Sequence, residues 1–263
     1  MNRIEEKMEQ LKKAGRKAFI TYTTSGLPDM DTTERIMFAQ QEAGIDVMEL
    51  GVPFSDPIAD GSVIQAASYE AILNGATLSK TFELMKKVRD NGLTTPVVYM
   101  MYYNTIYHYG LEAFVDKCIE CGVDGLIIPD LPKEEQGELK AVLDAKDGSP
   151  ILIQLISPVS KQRIPELVKD ARGFVYCVSQ MGVTGGQAEF HKNIREYLSE
   201  VKSASPVPVM MGFGIRTAKD VEPLEDIIDG AIVGSHFIKL LKSSNYDTET
   251  VKEYITTFKT EMA

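Results

Sequence analysis

The chain has 263 residues and a net charge of −10, with 44% hydrophobic and 25% charged residues, which suits one α/β barrel or two small domains. The acidic balance, without any basic stripe, argues against a nucleic-acid platform and leaves any anionic ligand to be held by local dipoles. No apolar run approaches the roughly 18 residues of a membrane span, and the N-terminus lacks a signal peptide's apolar centre, so a soluble cytoplasmic protein is expected.

The first element is an amphipathic helix, with Ile4, Met8 and Leu11 at helical spacing ahead of any strand. A rhythm of apolar runs then follows: AFITYTT, DVMELGV, VVYMMYY, GLIIPD, ILIQLIS, GFVYCVS, VPVMMGFG and GAIVGS. Between them lie helical patterns such as TERIMFAQQEAG, KTFELMKKVRDNG, LEAFVDKCIECG and EEQGELKAVLDAK, several stopped by Gly44, Gly92 or Gly122. Runs rich in Val, Ile and Tyr alternating with helices predict a parallel sheet covered by helices. About eight such units, with no linker or change of composition, predict a single α/β domain over residues 1–263: a (β/α)8 TIM barrel with an extra N-terminal helix. An open doubly wound sheet is the alternative, but the turn after the first strand, TTSGLPDMD, has one Gly and no dinucleotide fingerprint.

In such a barrel, catalytic groups come from the C-terminal ends of strands and the loops beyond them. In ELGVPFSDPIADG, Glu49 stands at a strand end on the same face as Val47, while Met48 and Leu50 share the other face. If Met48 and Leu50 pack against helices, Glu49 points into the barrel mouth, where burial would raise its pKa; the alternative is a solvated strand-end Glu. Asp60 closes a loop stiffened by Pro53 and Pro57. It reads either as the second member of an acid/base pair or, like Asp56, as a turn or helix-capping residue before DGSVIQAASYEAI.

Two Gly-rich turns follow the seventh and eighth runs, at Gly212 and Gly214 and at Gly234 and Ser235, where barrels of this class commonly hold phosphate on backbone N–H groups. SQMGVTGG, around Thr184, suits a lid or a plain surface loop. YMMYYNTIYHYG is unusually aromatic, and its residues fit core packing, an apolar pocket or a partner surface. Cys118 and Cys121 form a C-x-x-C inside an amphipathic helix, and with Cys177 they read as buried free thiols. His108, His191 and His236 lack metal-ligand spacing, so no metal is expected. No Lys stands at a strand end for a Schiff base, and no nucleophile elbow or Walker loop is present.

MELGVPFSDPIADGSVIQ, followed in order by IIPDLP, GVTGG, MGFGI and VGS, closely resembles the tryptophan synthase alpha chain family over nearly the whole chain. The resemblance implies a lyase that cleaves indole-3-glycerol phosphate to indole and glyceraldehyde 3-phosphate, in the last steps of tryptophan biosynthesis. It implies no cofactor in this chain, and a partner beta chain that carries pyridoxal phosphate in an alpha2-beta2 assembly. It makes Glu49 and Asp60 the catalytic carboxylates. Tyr22, Ile64, Met100, Tyr102, Ile127, Ile153, Tyr176 and Phe213 would line the indole and glycerol pocket, Thr184 would belong to the lid, and Gly185, Gly214, Gly234 and Ser235 would hold phosphate. Gln180 and Met181 stand where many members have Arg and a small residue. Tyr22 replaces a frequent Phe, adding a hydroxyl that needs a partner if buried. Other phosphate-binding barrels, a free-standing indole-glycerol-phosphate lyase and a regulatory barrel that activates a beta chain are the competing readings.

Overall fold

A computed structural model describes residues 1–178, 187–212 and 214–262, with the backbone alone at 187–192. Its strands are β1 (Ala18–Thr24), β2 (Val47–Gly51), β3 (Val97–Met100), β4 (Gly125–Ile127), β5 (Ile151–Leu152), β6 (Gln154–Ile156), β7 (Val175–Cys177), β8 (Val209–Met211) and β9 (Gly230–Val233). Every pairing is parallel, in the order β5-β4-β3-β2-β1-β9-β8-β7-β6.

The two ends of that order are consecutive in sequence. β5 pairs with β4 and β6 with β7, and Ile153 between them still donates its N–H to the Leu126 carbonyl at 2.9 Å. The run ILIQLIS is thus one passage in two pieces, and nine strands occupy the eight positions of a closed (β/α)8 barrel.

Alternation sorts the strand residues into two cores. Val47 joins Ile20, Val98, Ile127, Ile151, Ile153, Phe174, Met210 and Ile232 inside the barrel, whereas Met48 and Leu50 pack in the outer layer with the helices. The N-terminal helix, Arg3–Lys13, starts with an Asn2–Glu5 capping box and plugs the lower end of the inner core with Ile4, Met8 and Leu11. Gly125 makes room for it, since a Cβ there would lie 2.9 Å from Ile4 Cδ1. Burying one such side chain fully stabilises the fold by about 1.5–3 kcal/mol.

The helix stops at Gly44, Gly92 and Gly122 hold, with φ of 77°, 94° and 71°. Two other boundaries differ from expectation. β3 ends at Met100 and Tyr103–Tyr109 is a helix, because Asp130 Oδ1 takes the Tyr103 N–H at 2.8 Å and so satisfies a first-turn donor. EEQGELKAVLDAK opens with a 3-10 turn, Lys133–Glu135, and its helix runs over Gly137–Asp144.

At the lower rim one device recurs. Asp46, Asp124 and Asp229 each precede a strand and accept the N–H of Phe19, Val97 or Val209 on a neighbouring chain passage, at 2.9, 2.8 and 2.7 Å. Each is also paired with a cation: Lys259 at 2.8 Å, Arg89 at 2.7 Å and Lys202 at 2.5 Å. Edge donors that the ladder leaves over are thereby satisfied. The three cysteines are free and buried. Among the described residues no helix is long and apolar enough to cross a membrane.

Candidate active site

Glu49 follows Val47 on the inward face of β2, and its Cα partner across β1 is Tyr22. It is only 2% exposed, and its Oε2 has no hydrogen-bond partner among the described residues. Burial first, and the charge of Asp60 second, push its pKa up to about 8. A buried carboxyl with an unsatisfied oxygen destabilises the fold, and groups perturbed in this way cluster at functional sites.

Asp60 arrives from the loop after β2, where a turn bonds its N–H to the Pro57 carbonyl at 3.0 Å. It does not cap the following helix, Ser62–Leu73, whose N-cap is Gly61 with no side-chain bond; Asp56 accepts from Ser55 instead. Burial raises Asp60 to about 6, and a hydrogen bond from the Tyr102 hydroxyl (3.1 Å to Oδ2) opposes that rise. Burial, then Asp60 and, more weakly, Glu49 push the Tyr22 phenol well up; burial, then Glu49 and Asp60 do the same to Tyr176. These four side chains therefore share one electrostatic environment at the C-terminal mouth.

The hydroxyl of Tyr22 has a partner, accepting from Thr24 Oγ1 at 3.3 Å. Met100, Ile127 and Ile153 belong to the inner core or pack against it, together with Tyr176. Ile64 lies on the helix Ser62–Leu73 and reaches toward Gly234, where a Cβ would sit 3.6 Å from Ile64 Cδ1 and 3.7 Å from Tyr22 Cβ. Gly214 has a left-handed φ of 61° in the turn after β8. Gly234 and Ser235 open the helix Ser235–Ser243, whose first N–H groups have no side-chain cap among the described residues, an arrangement that suits an anion. Thr184, Gly185 and Phe213, with Gln180 and Met181, lie outside the described residues.

Among the described residues, no group of three His, Cys, Asp or Glu side chains could hold a metal ion. Sequence reasoning missed the Tyr103–Asp130 bond, although IIPDLP contains that Asp. It also missed the lower-rim aspartates, whose signal is an Asp one residue before a strand in GIDV, GVDG and IIDG.

The closed ring of parallel strands, with two buried carboxyl groups at its C-terminal mouth, defines a class: a (β/α)8 barrel. Comparisons with known proteins narrow the class. The sequence model of the tryptophan synthase alpha chain family matches residues 8–263. The tryptophan synthase alpha chain of Lachnospira eligens is 71% identical over 262 residues, covering 100% of this chain and 99% of the relative. That of Alkaliphilus metalliredigens is 42% identical over 252 residues, 96% of this chain and 94% of the relative. A crystal structure of tryptophan synthase subunit alpha from Legionella pneumophila superposes with a TM-score of 0.90 at 30% identity, covering 100% of this chain and 98% of the other. This chain belongs to the tryptophan synthase alpha chain family, and its work is the alpha reaction of tryptophan biosynthesis.

Proposed function

We propose that this chain, as one barrel domain in the cytoplasm, is a carbon–carbon lyase that splits indole-3-glycerol phosphate with Glu49 and Asp60 as its catalytic carboxylates. The observation that carries this reading is the order of proton affinities. At neutral pH, Glu49 near 8 holds its proton while Asp60 near 6 is ionised.

Cleavage needs a proton on the indole ring carbon that bears the side chain, and loss of one from the side-chain hydroxyl. Glu49 gives the first proton and, now a carboxylate, takes the second as the carbon–carbon bond breaks to leave indole and an aldehyde. Asp60, beside the ring N–H, stabilises the positive charge that develops on the protonated ring. Tyr22, Ile64, Met100, Tyr102, Ile127, Ile153 and Tyr176 supply the walls. Gly214, Gly234 and Ser235 offer backbone N–H groups and a helix dipole to the phosphate, as a net-acidic chain requires. Thr184, Gly185 and Phe213 enter this reading through the family resemblance alone.

The partner in this reading is a beta chain carrying pyridoxal phosphate, in an alpha2-beta2 assembly, and this chain needs no cofactor of its own. Support comes from apolar side chains left exposed on elements that follow strand ends: Ile58 at 84%, Tyr107 at 67% and Val159 at 79%. Indole release from indole-3-glycerol phosphate, with and without a pyridoxal-phosphate-bearing beta chain, tests both halves. Release that the beta chain accelerates is expected. No release rejects the lyase, and release indifferent to the beta chain rejects the partner in favour of a free-standing lyase.

A further inference from the structure

Tyr102 stands two residues past β3 with its ring buried, and its hydroxyl bonds consecutive residues of one loop. It accepts the Ala59 N–H at 2.9 Å and donates to Asp60 Oδ2 at 3.1 Å. Its ring stacks on Phe54 of the same loop, with centroids 5.0 Å apart and planes 20° from parallel. One side chain therefore holds the loop near both ends. The next residue is anchored elsewhere, since the Tyr103 N–H donates to Asp130 Oδ1 at 2.8 Å, in the segment after β4. Two adjacent residues join the loops after three successive strands.

We propose that Tyr102 is the positioning residue for Asp60, and that the Tyr103–Asp130 bond ties the setting of that carboxylate to the loop after β4. This rests on the role proposed for Asp60 above. The hydroxyl has spent its donor on Oδ2 and so is not free to donate to a ligand; a residue that only lined a pocket would need no hydroxyl. Asp60 Oδ1 has no partner among the described residues, which leaves one oxygen held and one for substrate. The titratable groups facing Asp60 are Glu49 on β2, Tyr22 on β1, Tyr176 on β7 and Tyr102 itself. Of these, Tyr102 alone hydrogen-bonds it among the described residues.

The test is Tyr102→Phe, which keeps the stacked ring and removes the hydroxyl. Hydrogen bonds to charged groups are strong enough that kcat should fall about 10- to 100-fold, with KM within about 2-fold of the parent. The acid limb of kcat/KM should move to higher pH, and so should the midpoint of Asp60 followed by carboxyl 13C NMR, which needs no turnover. Asp130→Asn should move the same readouts in the same direction by less. Replacing Tyr102 with 3-fluorotyrosine, a stronger donor that keeps the ring, should move the Asp60 midpoint downward, and this serves if the Phe variant folds poorly. A Tyr102→Phe enzyme with the parent's kcat and Asp60 midpoint, or with a change in KM alone, would overturn the proposal. A parent that releases no indole defeats the lyase reading instead, while the NMR midpoints still decide the role of Tyr102.

Discussion

The ring of Tyr22 fills the space that a side chain at Gly51 would need: a Cβ there would lie 2.0 Å from the Tyr22 hydroxyl oxygen. The pattern repeats across the barrel, where a Cβ at Gly212 would lie 2.0 Å from Tyr176 Cε2. Each inward tyrosine is laid over a glycine on the adjacent chain passage, and both reach the carboxylates for that reason. Gly51→Ala should therefore cost about 1–3 kcal/mol of stability, as overpacking does, and lower the lyase rate. Adding Tyr22→Leu should recover much of the stability. Urea unfolding of both single variants and the double one checks this, and simple additivity would show that the two residues do not meet.

Glu49→Gln preserves shape but cannot exchange protons. Turnover should fall at least about 100-fold while substrate binding survives, and near-normal indole release would remove Glu49 from the mechanism. The same variant should be more stable than the parent. A carboxyl raised from 4.5 to about 8 binds its proton more tightly folded than unfolded, so the parent loses stability as pH climbs through that window. Glu49→Gln escapes this loss, and its advantage should grow by about 3–4 kcal/mol between pH 5 and pH 8, read from paired thermal melts at those two values.

The pH dependence of kcat/KM should be a bell. Asp60 gains its proton as pH falls through about 6, and Glu49 loses its own as pH rises through about 8, so the maximum lies between. The two limbs belong to a coupled pair, so Glu49→Gln should abolish the alkaline limb and displace the acid one. A profile flat from pH 5 to 9 would deny both carboxylates their roles.

The anion site can be probed at Gly234. A Cβ there meets Ile64 and Tyr22 only at ordinary contact distance, so Gly234→Ala should fold normally. A branched side chain, as in Gly234→Val, should block backbone approach and weaken glycerol phosphate binding about 10-fold or more, by calorimetric titration. Unchanged binding would place the phosphate elsewhere.

Asp124 is 2% exposed and bonds Arg3, Arg89 and the Val97 N–H at the far end of the barrel. Asp124→Ala leaves the nearly buried Arg89 without its counter-charge and should cost about 3–5 kcal/mol, with KM unchanged. Chemical denaturation beside steady-state kinetics tests the separation, and a change in KM would link the two ends of the barrel.

The sequence by itself determined which way each strand faces. Val47 and Glu49 alternate with Met48 and Leu50, and period two leaves no choice once one face must meet helices. It also determined where helices stop, because a left-handed turn at Gly44, Gly92 or Gly122 is a local property of the backbone. The family signature named the carboxylates through residue identity alone. The tertiary structure decided what local pattern does not encode. The join of β4 to β5 and of β6 to β7, which turns a sheet into a ring, depends on partners far apart in sequence. The aromatic tract leaves its strand at Met100 because of a carboxylate at Asp130, 27 residues beyond Tyr103. The setting of Asp60 depends on a hydroxyl 42 residues away, at Tyr102. The proton affinities of Glu49 and Asp60 are likewise tertiary, since burial is their largest cause and exists only once the barrel has closed around them.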